Sequence, residues 1–410
     1  MKPLLVFTAP LSSRSGYGEC ARDFAKYLLT KTESHEIYFI STKWGNTPDN
    51  ALSNDIELSK AIETRILYER PSRDIDIHFH LSLPNEFRDL GKTNIGLTAG
   101  VETTKWPVTF VSGCNRMDMV ILPSKFTQET LMKTEYINET TNESISCTTP
   151  TKVVFEGYDE TIYDDMDTTT PIFTDALSCI KEDFCYMFVG HWMTQYSLGN
   201  DRKNIGMLIK TFLETFVNEP KPPALILKTN GTNVSHIDQA SILTKINEIQ
   251  DTVQGPGNIP NIYLLHGDLT PHEMCQLYNH PQVKCHITLT HGEGFCRPLL
   301  GATLSEKPII APKWSGYLDY LNYKHSILLP GTTEPIHPSV HTHTNNLTQG
   351  AEWFTVDYEK SIELIRDVYI NYDKHKQRAT KVKNYISENY TLNKMYDEYD
   401  KVLESVLKVK

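Results

Sequence analysis

Residues 291–321 read HGEGFCRPLLGATLSEKPIIAPKWSGYLDYL, and this stretch decides the fold. The run before it, VKCHITLT, predicts a buried strand, and in the following turn Glu293 stands between two glycines. Pro298 is typical of a first helical turn, where its missing N–H leaves no hydrogen bond unmade. A second apolar run, KPIIAP, predicts the next strand and leads into Ser315 and Gly316. Strand, glycine turn, helix and strand in this order predict a parallel sheet covered by helices.

The glycine turn has the chemistry of an anion site. A turn that feeds a helix start presents free backbone N–H groups and the positive end of the helix dipole. Arg297 adds a planar donor fork suited to phosphate, and Glu293 is expected to project at the lip of a binding cleft. A plain turn with a solvated acid is the alternative. Gly301 inside the helix costs about 1 kcal/mol relative to alanine, so local stability does not explain it.

The same alternation of strands and helices extends through both halves of the chain. In the first half, PLLVFTAP predicts a strand, GECARDFAKYLL (18–29) an amphipathic helix, and SKFTQETLMK a helix capped by Ser124. The pattern breaks at 158–183, an acidic, Thr-rich stretch that we interpret as a linker. The predicted domains are therefore 1–170 and 171–390, followed by an amphipathic helix over 391–410.

Composition restricts the function further. The 410 residues carry a net charge of −11, which disfavours broad binding to nucleic acid or anionic membranes but leaves room for a local basic cleft. No apolar run approaches the roughly 20 residues of a membrane helix. The eight cysteines form no CxxC pair and predict reduced thiols. We expect a cytoplasmic protein without a membrane span; the sequence does not indicate its oligomeric state.

Three further segments supply candidate ligand contacts. The loop LSSRSGYGEC places Gly16 and Gly18 before a helix and predicts close backbone approach to a ligand, although it is not GxGxxG and a flexible turn would look the same. In VGHWMTQYSLGNDRKNIGMLI, Arg202 and Lys203 stand at a helix start, against the dipole, and a bound anion would offset that cost. Lys228 ends the strand run ALILK.

With these motifs in view, EGFCRPLLGATLSEKPIIAPKWSGYLD resembles the signature of family-four retaining glycosyltransferases. Other pieces agree in the right order, so the resemblance covers most of the chain: RSGYGECARDF, ILPSKFTQETL, FEGYDETIY, RKNIGMLI and LLHGDLTPHEMCQLY. The resemblance implies an α/β protein of GT-B architecture. It implies two doubly wound Rossmann-like domains facing a deep cleft, with the C-terminal helix crossing back to the N-terminal domain.

The resemblance also implies roles for the residues around the glycine turn. Glu293 would lie beside the donor sugar as a catalytic residue, with Gly294 and Phe295 against the diphosphate and sugar. Gly16 and Gly18 would face the donor from the other domain.

The cations follow the family pattern with one departure. Lys203 would pair with the diphosphate. The family often has arginine directly after the glycine of VG, where this chain has His191. Arg202 or Arg297 would then supply the second charge, and Lys228 is a further donor-binding candidate.

One position resembles a particular branch of the family, and another differs from the family pattern. GLTAGVETTKWP resembles a branch with glutamate where others carry an active-site histidine, so Glu102 is the catalytic candidate of the N-terminal domain. The overall pattern resembles a branch common in viral genomes. The family's second glutamate, which holds the nucleotide ribose, is replaced here by Gly301.

The resulting hypothesis is a glycosyltransferase that moves a sugar from a nucleotide-diphosphate sugar to an acceptor hydroxyl, with retention and without metal or cofactor. The acceptor is a glycan, a small molecule or a hydroxylated DNA base. Asp165-Met166-Asp167 mimics a metal-binding pair but lies in the linker, and the histidine-containing segment 330–353 is interpreted as a mobile loop rather than a metal site. Rival hypotheses are an enzyme that epimerises or cleaves the sugar nucleotide, and a non-catalytic nucleotide-sugar-binding protein.

Overall fold

The computed structural model describes residues 2–69, 71–163, 177–193, 195–231, 234–253, 258–321, 324–341 and 347–408. The chain divides into two compact units. The N-terminal unit comprises Met1–Gly157, Asn346–Thr348 and Leu392–Lys410, and the C-terminal unit comprises Tyr158–Asn345 and Gln349–Thr391. The predicted boundary near 170 and the Asp165–Asp167 pair lie outside the described residues.

The N-terminal unit is built on a six-stranded parallel sheet. With elements numbered along the whole chain, its strands are β1 Leu4–Ala9, β2 Glu36–Ser41, β3 Ile75–Leu81, β4 Gly91–Leu97, β5 Met119–Leu122, β6 Glu135–Ile137, β7 Ser144–Ser146 and β8 Thr151–Val153. Its helices are α1 Gly16–Leu29, α2 Ile56–Glu63, α3 Val108–Cys114, α4 Lys125–Lys133 and α14 Leu392–Lys408. The sheet order is β2-β1-β3-β4-β5-β8, while β6 and β7 form a separate hairpin.

Helix caps and apolar faces account for this arrangement. The Ser15 hydroxyl accepts a hydrogen bond from Gly18 N–H and begins α1, and Ser124 caps α4 in the same way, as predicted. The predicted apolar face of α1 packs on the sheet through Phe24 and its neighbours. Helix α14 completes the same core with Met395 and five further buried apolar side chains, which explains its amphipathic sequence.

The C-terminal unit contains a second parallel sheet of six strands. Its strands are β9 Cys185–Val189, β10 Ala224–Lys228, β11 Ile262–Leu265, β12 Val283–Ile287, β13 Ile309–Pro312, β14 Ile327–Leu329, β15 Gly331–Pro335 and β16 Glu352–Val356. Its helices are α5 Glu160–Tyr163, α6 Ile205–Phe216, α7 His236–Thr252, α8 Pro271–Asn279, α9 Arg297–Thr303, α10 Leu318–Leu321, α11 Pro338–His341, α12 Tyr358–Ile370 and α13 Tyr372–Asn389.

The strand order of this sheet is β11-β10-β9-β12-β13-β14. All strands are parallel, but the side on which successive strands are added changes at β9. The chain first builds outward from β9 through β10 to β11, and then returns to place β12 on the other side of β9. The point between β9 and β12 is therefore a topological switch point, where the loops after the two strands diverge and leave a crevice. The predicted apolar face of α6 is fully buried against the sheet.

The segment 330–353 differs from its interpretation as a mobile loop. Its ends form an antiparallel hairpin in which β15 pairs with β16. All five residues of β15 are exposed, so the strand carries no alternation of apolar and polar residues and is held by backbone hydrogen bonds. His343 lies outside the described residues. Within the described ranges, no helix is long and apolar enough to cross a membrane.

Candidate functional site

The loops after β9 and β12 meet at the switch point of the C-terminal unit. The loop after β9 carries Arg202 and Lys203, and the loop after β12 carries Glu293. The Lys203 Nζ lies 2.5 Å from Glu293 Oε1, and an Arg202 guanidinium nitrogen lies 3.1 Å from Glu293 Oε2. The structure thus brings together three of the predicted site residues, which the sequence separates by about ninety positions.

The backbone of Glu293 is held by the turn after β13. Glu293 N–H donates to the Ser315 hydroxyl at 2.5 Å, and Gly316 N–H donates to Glu293 carbonyl oxygen at 2.9 Å. Ser315 has a φ of 96°, in the left-handed region that side chains rarely adopt. The serine-glycine turn some twenty residues after the acid therefore fixes the position of the acid itself.

Glu293 is buried rather than projecting at a cleft lip, which corrects the expectation drawn from the sequence. Its residue surface is 6% exposed, and the Thr290 hydroxyl lies 3.2 Å from Oε1. Burial alone would raise the pKa of Glu293, but the charges of Lys203 and Arg202 and their hydrogen bonds lower it below its usual value. The acid is consequently ionised at neutral pH, and one carboxylate faces two cations.

Two residues that the sequence did not single out hold the start of α6. Asn204, the N-cap, has a φ of 54° and is fully buried, and its amide donates to the Leu289 carbonyl oxygen. Asp201 is buried at the same helix start, and this burial raises its pKa to about 6 although backbone N–H groups and Arg202 oppose the shift. The predicted cost of the two cations is therefore offset mainly by Glu293, an acid of this chain, without a bound anion. The Asp immediately before RKN was the available signal, because aspartate is enriched at helix starts.

Lys228 lies at the carboxyl end of β10, and its Nζ donates to Gly267 carbonyl oxygen at 2.5 Å. Burial is the largest cause that lowers the pKa of His191. The positive charge of Lys203 lowers it further, and that of Lys228 does so to a smaller extent. Both lysines therefore act on the same imidazole ring. A third cation thus joins the pair at the carboxyl ends of neighbouring strands.

The remaining predicted residues of this unit lie around the start of α9. Gly294 is buried, and Arg297 is the first residue of the helix and half-buried. Phe295 is 3% exposed, because its ring packs at 5.2 Å from the Tyr320 ring. Its side chain is thus part of the protein interior, and its carbonyl oxygen accepts a hydrogen bond from the Tyr320 hydroxyl.

The packing around α9 explains why position 301 is a glycine. A Cβ at this position would lie 2.5 Å from the Tyr163 hydroxyl and 3.1 Å from a ring carbon of Tyr278. Tyr163 comes from α5, far away in sequence, so the helix pattern around Gly301 could not show this contact. The hydroxyl of Tyr163 stands where a side chain at position 301 would begin.

In the N-terminal unit, Gly16 and Gly18 were predicted to precede a helix, but they lie in the first turn of α1, and Glu102 lies in the loop after β4. A Cβ at Gly18 would lie 2.0 Å from the Ser13 carbonyl oxygen, whereas nothing lies within 4 Å of one at Gly16. Tyr17 links α1 to the loop after β4, since its hydroxyl lies 3.0 Å from Thr98 Oγ1. Glu102 is half-buried and contributes to the raised pKa of Tyr17, after the larger effect of burial.

No group of three or more potential metal ligands occurs among the histidine, cysteine, aspartate and glutamate residues that the structure describes.

No protein-family model and no curated protein sequence matches the chain. Solved structures do. A glycosyltransferase from Rickettsia africae ESF-5 superimposes with a TM-score of 0.66 at 14% identity, covering 100% of both chains. The sucrose-phosphate synthase of Thermosynechococcus elongatus gives 0.64 at 10% identity, again over 100% of both chains. Anabaena HepE in complex with UDP and glucose gives 0.59 at 14% identity, over 98% of this chain and 100% of its own. These likenesses establish the GT-B fold.

Proposed function

We propose that the chain is a nucleotide-sugar-dependent glycosyltransferase that transfers with retention and without a metal ion, and that it belongs to the viral-type branch of family four. The observation that carries this proposal is the triplet of Arg202, Lys203 and Glu293 at the switch point of the C-terminal sheet. The folds of the similar solved structures agree with it, and one of them, Anabaena HepE, is recorded with UDP-glucose.

The charge balance of the triplet favours an anionic leaving group. Two cations against one carboxylate leave a net charge of +1, in a chain whose total charge is −11. Lys228 and Arg297 add to this positive region from neighbouring elements. Because α9 spans only seven residues, side-chain cations rather than the helix dipole supply most of the stabilisation.

These cations stabilise the negative charge that develops on a departing nucleotide diphosphate. The bond between the anomeric carbon and the phosphate oxygen breaks, and its electron pair passes to the diphosphate, whose growing charge Lys203 and Arg202 stabilise. The sugar passes through an oxocarbenium-like state. The acceptor hydroxyl attacks on the face that the diphosphate leaves, and its proton passes to the leaving phosphate oxygen.

Each carboxylate has a separate role in this scheme. Glu293 remains ionised, holds Lys203 in position and stabilises the positive charge of the sugar centre. Glu102 orients the acceptor from the N-terminal unit. Gly294 contributes backbone approach to the donor, and Gly16 and Gly18 remain proposed donor contacts, while the buried Phe295 ring supports the turn rather than the sugar.

Tyr163 takes the ribose contact that the family's second glutamate makes elsewhere. Its hydroxyl occupies the space at position 301, and a phenol donates and accepts hydrogen bonds as a ribose hydroxyl requires. The absence of a side chain at Gly301 is then a consequence of where Tyr163 lies, and does not by itself indicate loss of donor binding.

A panel of nucleotide diphosphates and nucleotide sugars tests the proposal, with UDP and UDP-glucose first. A donor present at a hundred times its dissociation constant stabilises the folded chain by about 2.7 kcal/mol. We expect a thermal shift with one nucleotide that is unchanged by EDTA, followed by release of the nucleotide diphosphate when acceptors are added. The anomeric configuration of the product, read by NMR, tests retention.

Three results would contradict parts of the proposal. Binding without turnover on any acceptor would favour the non-catalytic reading, and free sugar or an epimer as the product would favour the rival enzymes. A shift that EDTA abolishes would contradict metal independence.

A further inference from the structure

A second cationic site lies at the opposite end of the C-terminal sheet. A surface cavity of about 320 Å³ opens at the amino ends of β12 and β13. Its lining includes four lysines: Lys284 at the start of β12, Lys307 just before β13, and Lys376 and Lys383 on α13. Because the triplet lies beyond the carboxyl end of β12, this cavity is separate from the candidate donor site.

The lysines of the cavity outnumber its acids. Glu306 is the one carboxylate among the described lining residues, and its Oε1 lies 2.8 Å from Lys383 Nζ. Within the described part of the chain, no carboxylate comes within 4 Å of the other three ammonium groups. In a chain with 40 basic and 51 acidic residues, this local excess of positive charge does not follow from composition.

Lys307 is the buried member of the cluster. It is 9% exposed, and its Nζ donates to the carbonyl oxygens of Tyr278 and His280 at 2.6 and 2.7 Å. An ammonium group has three protons, so one remains beyond these two bonds. Burial, followed by the charges of Lys284 and Lys376, lowers the pKa of Lys307 to about 7. The fold thus holds cations together against their mutual repulsion.

The backbone conformation of Glu306 is a further indication that the cavity is a ligand site. Its φ of 57° lies in the left-handed region, at a position after α9 where glycine or asparagine is usual. A glutamate in this conformation carries a free-energy cost, and strained residues of this kind cluster at ligand sites. Here the carboxylate positions Lys383 at the rim of the cavity.

We propose that this cavity binds a small anion of the phosphate class, such as pyrophosphate or a sugar phosphate, through Lys284, Lys307 and Lys376. The volume lies at the lower end of the range for small-molecule pockets, and lysine ammonium groups are common point-charge binders of phosphate. An anion would pair the three ammonium groups and remove their repulsion. This proposal does not rest on the function assigned to the switch-point triplet.

Calorimetric titration of the full chain with inorganic pyrophosphate tests the proposal. The cavity variant Lys284→Gln with Lys376→Gln removes two cations that are in no ion pair of the described structure. The matched control, Lys374→Gln with Lys381→Gln, removes the same charge from exposed positions of α13 that do not line the cavity. Thermal melts first confirm that both variants fold.

We expect the native chain to bind pyrophosphate at two sites, the cavity and the donor site. The cavity variant should lose one site or bind there about tenfold more weakly, and the control should keep both. If the donor site binds nothing, the native chain shows a single site, which the cavity variant still loses, so the two proposals fail separately. Titration with glucose 6-phosphate shows whether a sugar phosphate or only the inorganic anion is accepted.

Two results would overturn the proposal. Equal losses in the cavity variant and the control would show a general charge effect. Binding by the cavity variant that equals binding by the native chain would show that these lysines hold no anion.

Discussion

The Lys203 ammonium lies 2.5 Å from the Glu293 carboxylate, and this bond joins the loops that follow β9 and β12. Both side chains are largely buried, with 15% and 8% of their side-chain surface exposed. The pair therefore fixes the lysine at the switch point before any ligand binds. In the proposed function, a nucleotide diphosphate would meet a cation that is already oriented, which would reduce the reorganisation needed during the reaction.

Lys203→Met tests the pair. The variant leaves the buried Glu293 carboxylate with the half-exposed Arg202 alone, and breaking a buried ion pair in this way costs about 3 kcal/mol of unfolding free energy. Loss of the charge at the diphosphate lowers kcat/KM by about a hundredfold or more. Urea unfolding and steady-state rates measure the two effects.

The control is Lys210→Met, the same change within a half-exposed pair with Glu214 on α6, which should alter stability by less than about 1 kcal/mol. The double variant Lys203→Met with Glu293→Gln should recover stability but not activity. An active double variant would show that the pair has only a structural role.

Asp201→Asn tests the start of α6 by its pH dependence. Burial raises the pKa of Asp201 to about 6, although backbone N–H groups and Arg202 oppose the shift. Between the unfolded pKa of about 3.9 and this value, the folded chain binds more protons than the unfolded chain. The stability of the native protein therefore falls as pH rises through this window, by up to about 3 kcal/mol.

Asparagine has nearly the shape of aspartate but no charge to bury, so the variant should be more stable than the native protein above pH 6 and gain nothing near pH 4. Urea unfolding at several pH values measures the difference. A difference in unfolding free energy that is constant from pH 4 to pH 7 would contradict this assignment.

The sheets were predictable because the apolar runs are long enough to be buried strands. The helix start at Ser124 was predicted because a cap acts within three residues, whereas α1 begins at Gly16 after the Ser15 cap, two residues before the predicted start at 18. The role of the Ser315 hydroxyl could not be predicted, because its contact with Glu293 spans the whole of α9 and β13. The contact also requires Ser315 to adopt a left-handed backbone conformation, which no local pattern indicates.

The sequence suggested several residues of the candidate site, whose roles stay predictions, but not their arrangement. Glu293 and Lys203 were identified from motifs, yet their ion pair depends on strand order, which places β12 next to β9. The burial of Glu293 was missed for the same reason: an acid between glycines looks solvated until the cations that surround it are known. The β15–β16 hairpin was missed because its first strand is exposed on both faces.

Gly18→Ala and Gly16→Ala form a matched pair in the first turn of α1. The resemblance assigned both glycines to the donor, but a Cβ at Gly18 would meet the Ser13 carbonyl oxygen at 2.0 Å. We expect Gly18→Ala to lower the unfolding free energy by about 1–3 kcal/mol through steric strain. Gly16→Ala, with open space around it, should be neutral or up to about 1 kcal/mol stabilising. Equal effects in urea unfolding would contradict the packing explanation.

Gly301→Ala, combined with Tyr163→Phe, tests why a glycine stands inside α9. Alanine gains about 1 kcal/mol of helix propensity, but its Cβ would lie 2.5 Å from the Tyr163 hydroxyl, so we expect little net gain in the native background. Removing the hydroxyl leaves ring carbons of Tyr278 and Tyr163 at 3.1 and 3.3 Å, which need only a small shift, and the same substitution should then stabilise by up to about 1 kcal/mol. A double-mutant cycle from urea unfolding measures this coupling, and additive effects would show that Tyr163 is not the reason for the glycine. Tyr163→Phe alone should also weaken binding of the nucleotide by about tenfold, as loss of one buried hydrogen bond predicts, and unchanged affinity would remove Tyr163 from the ribose contact.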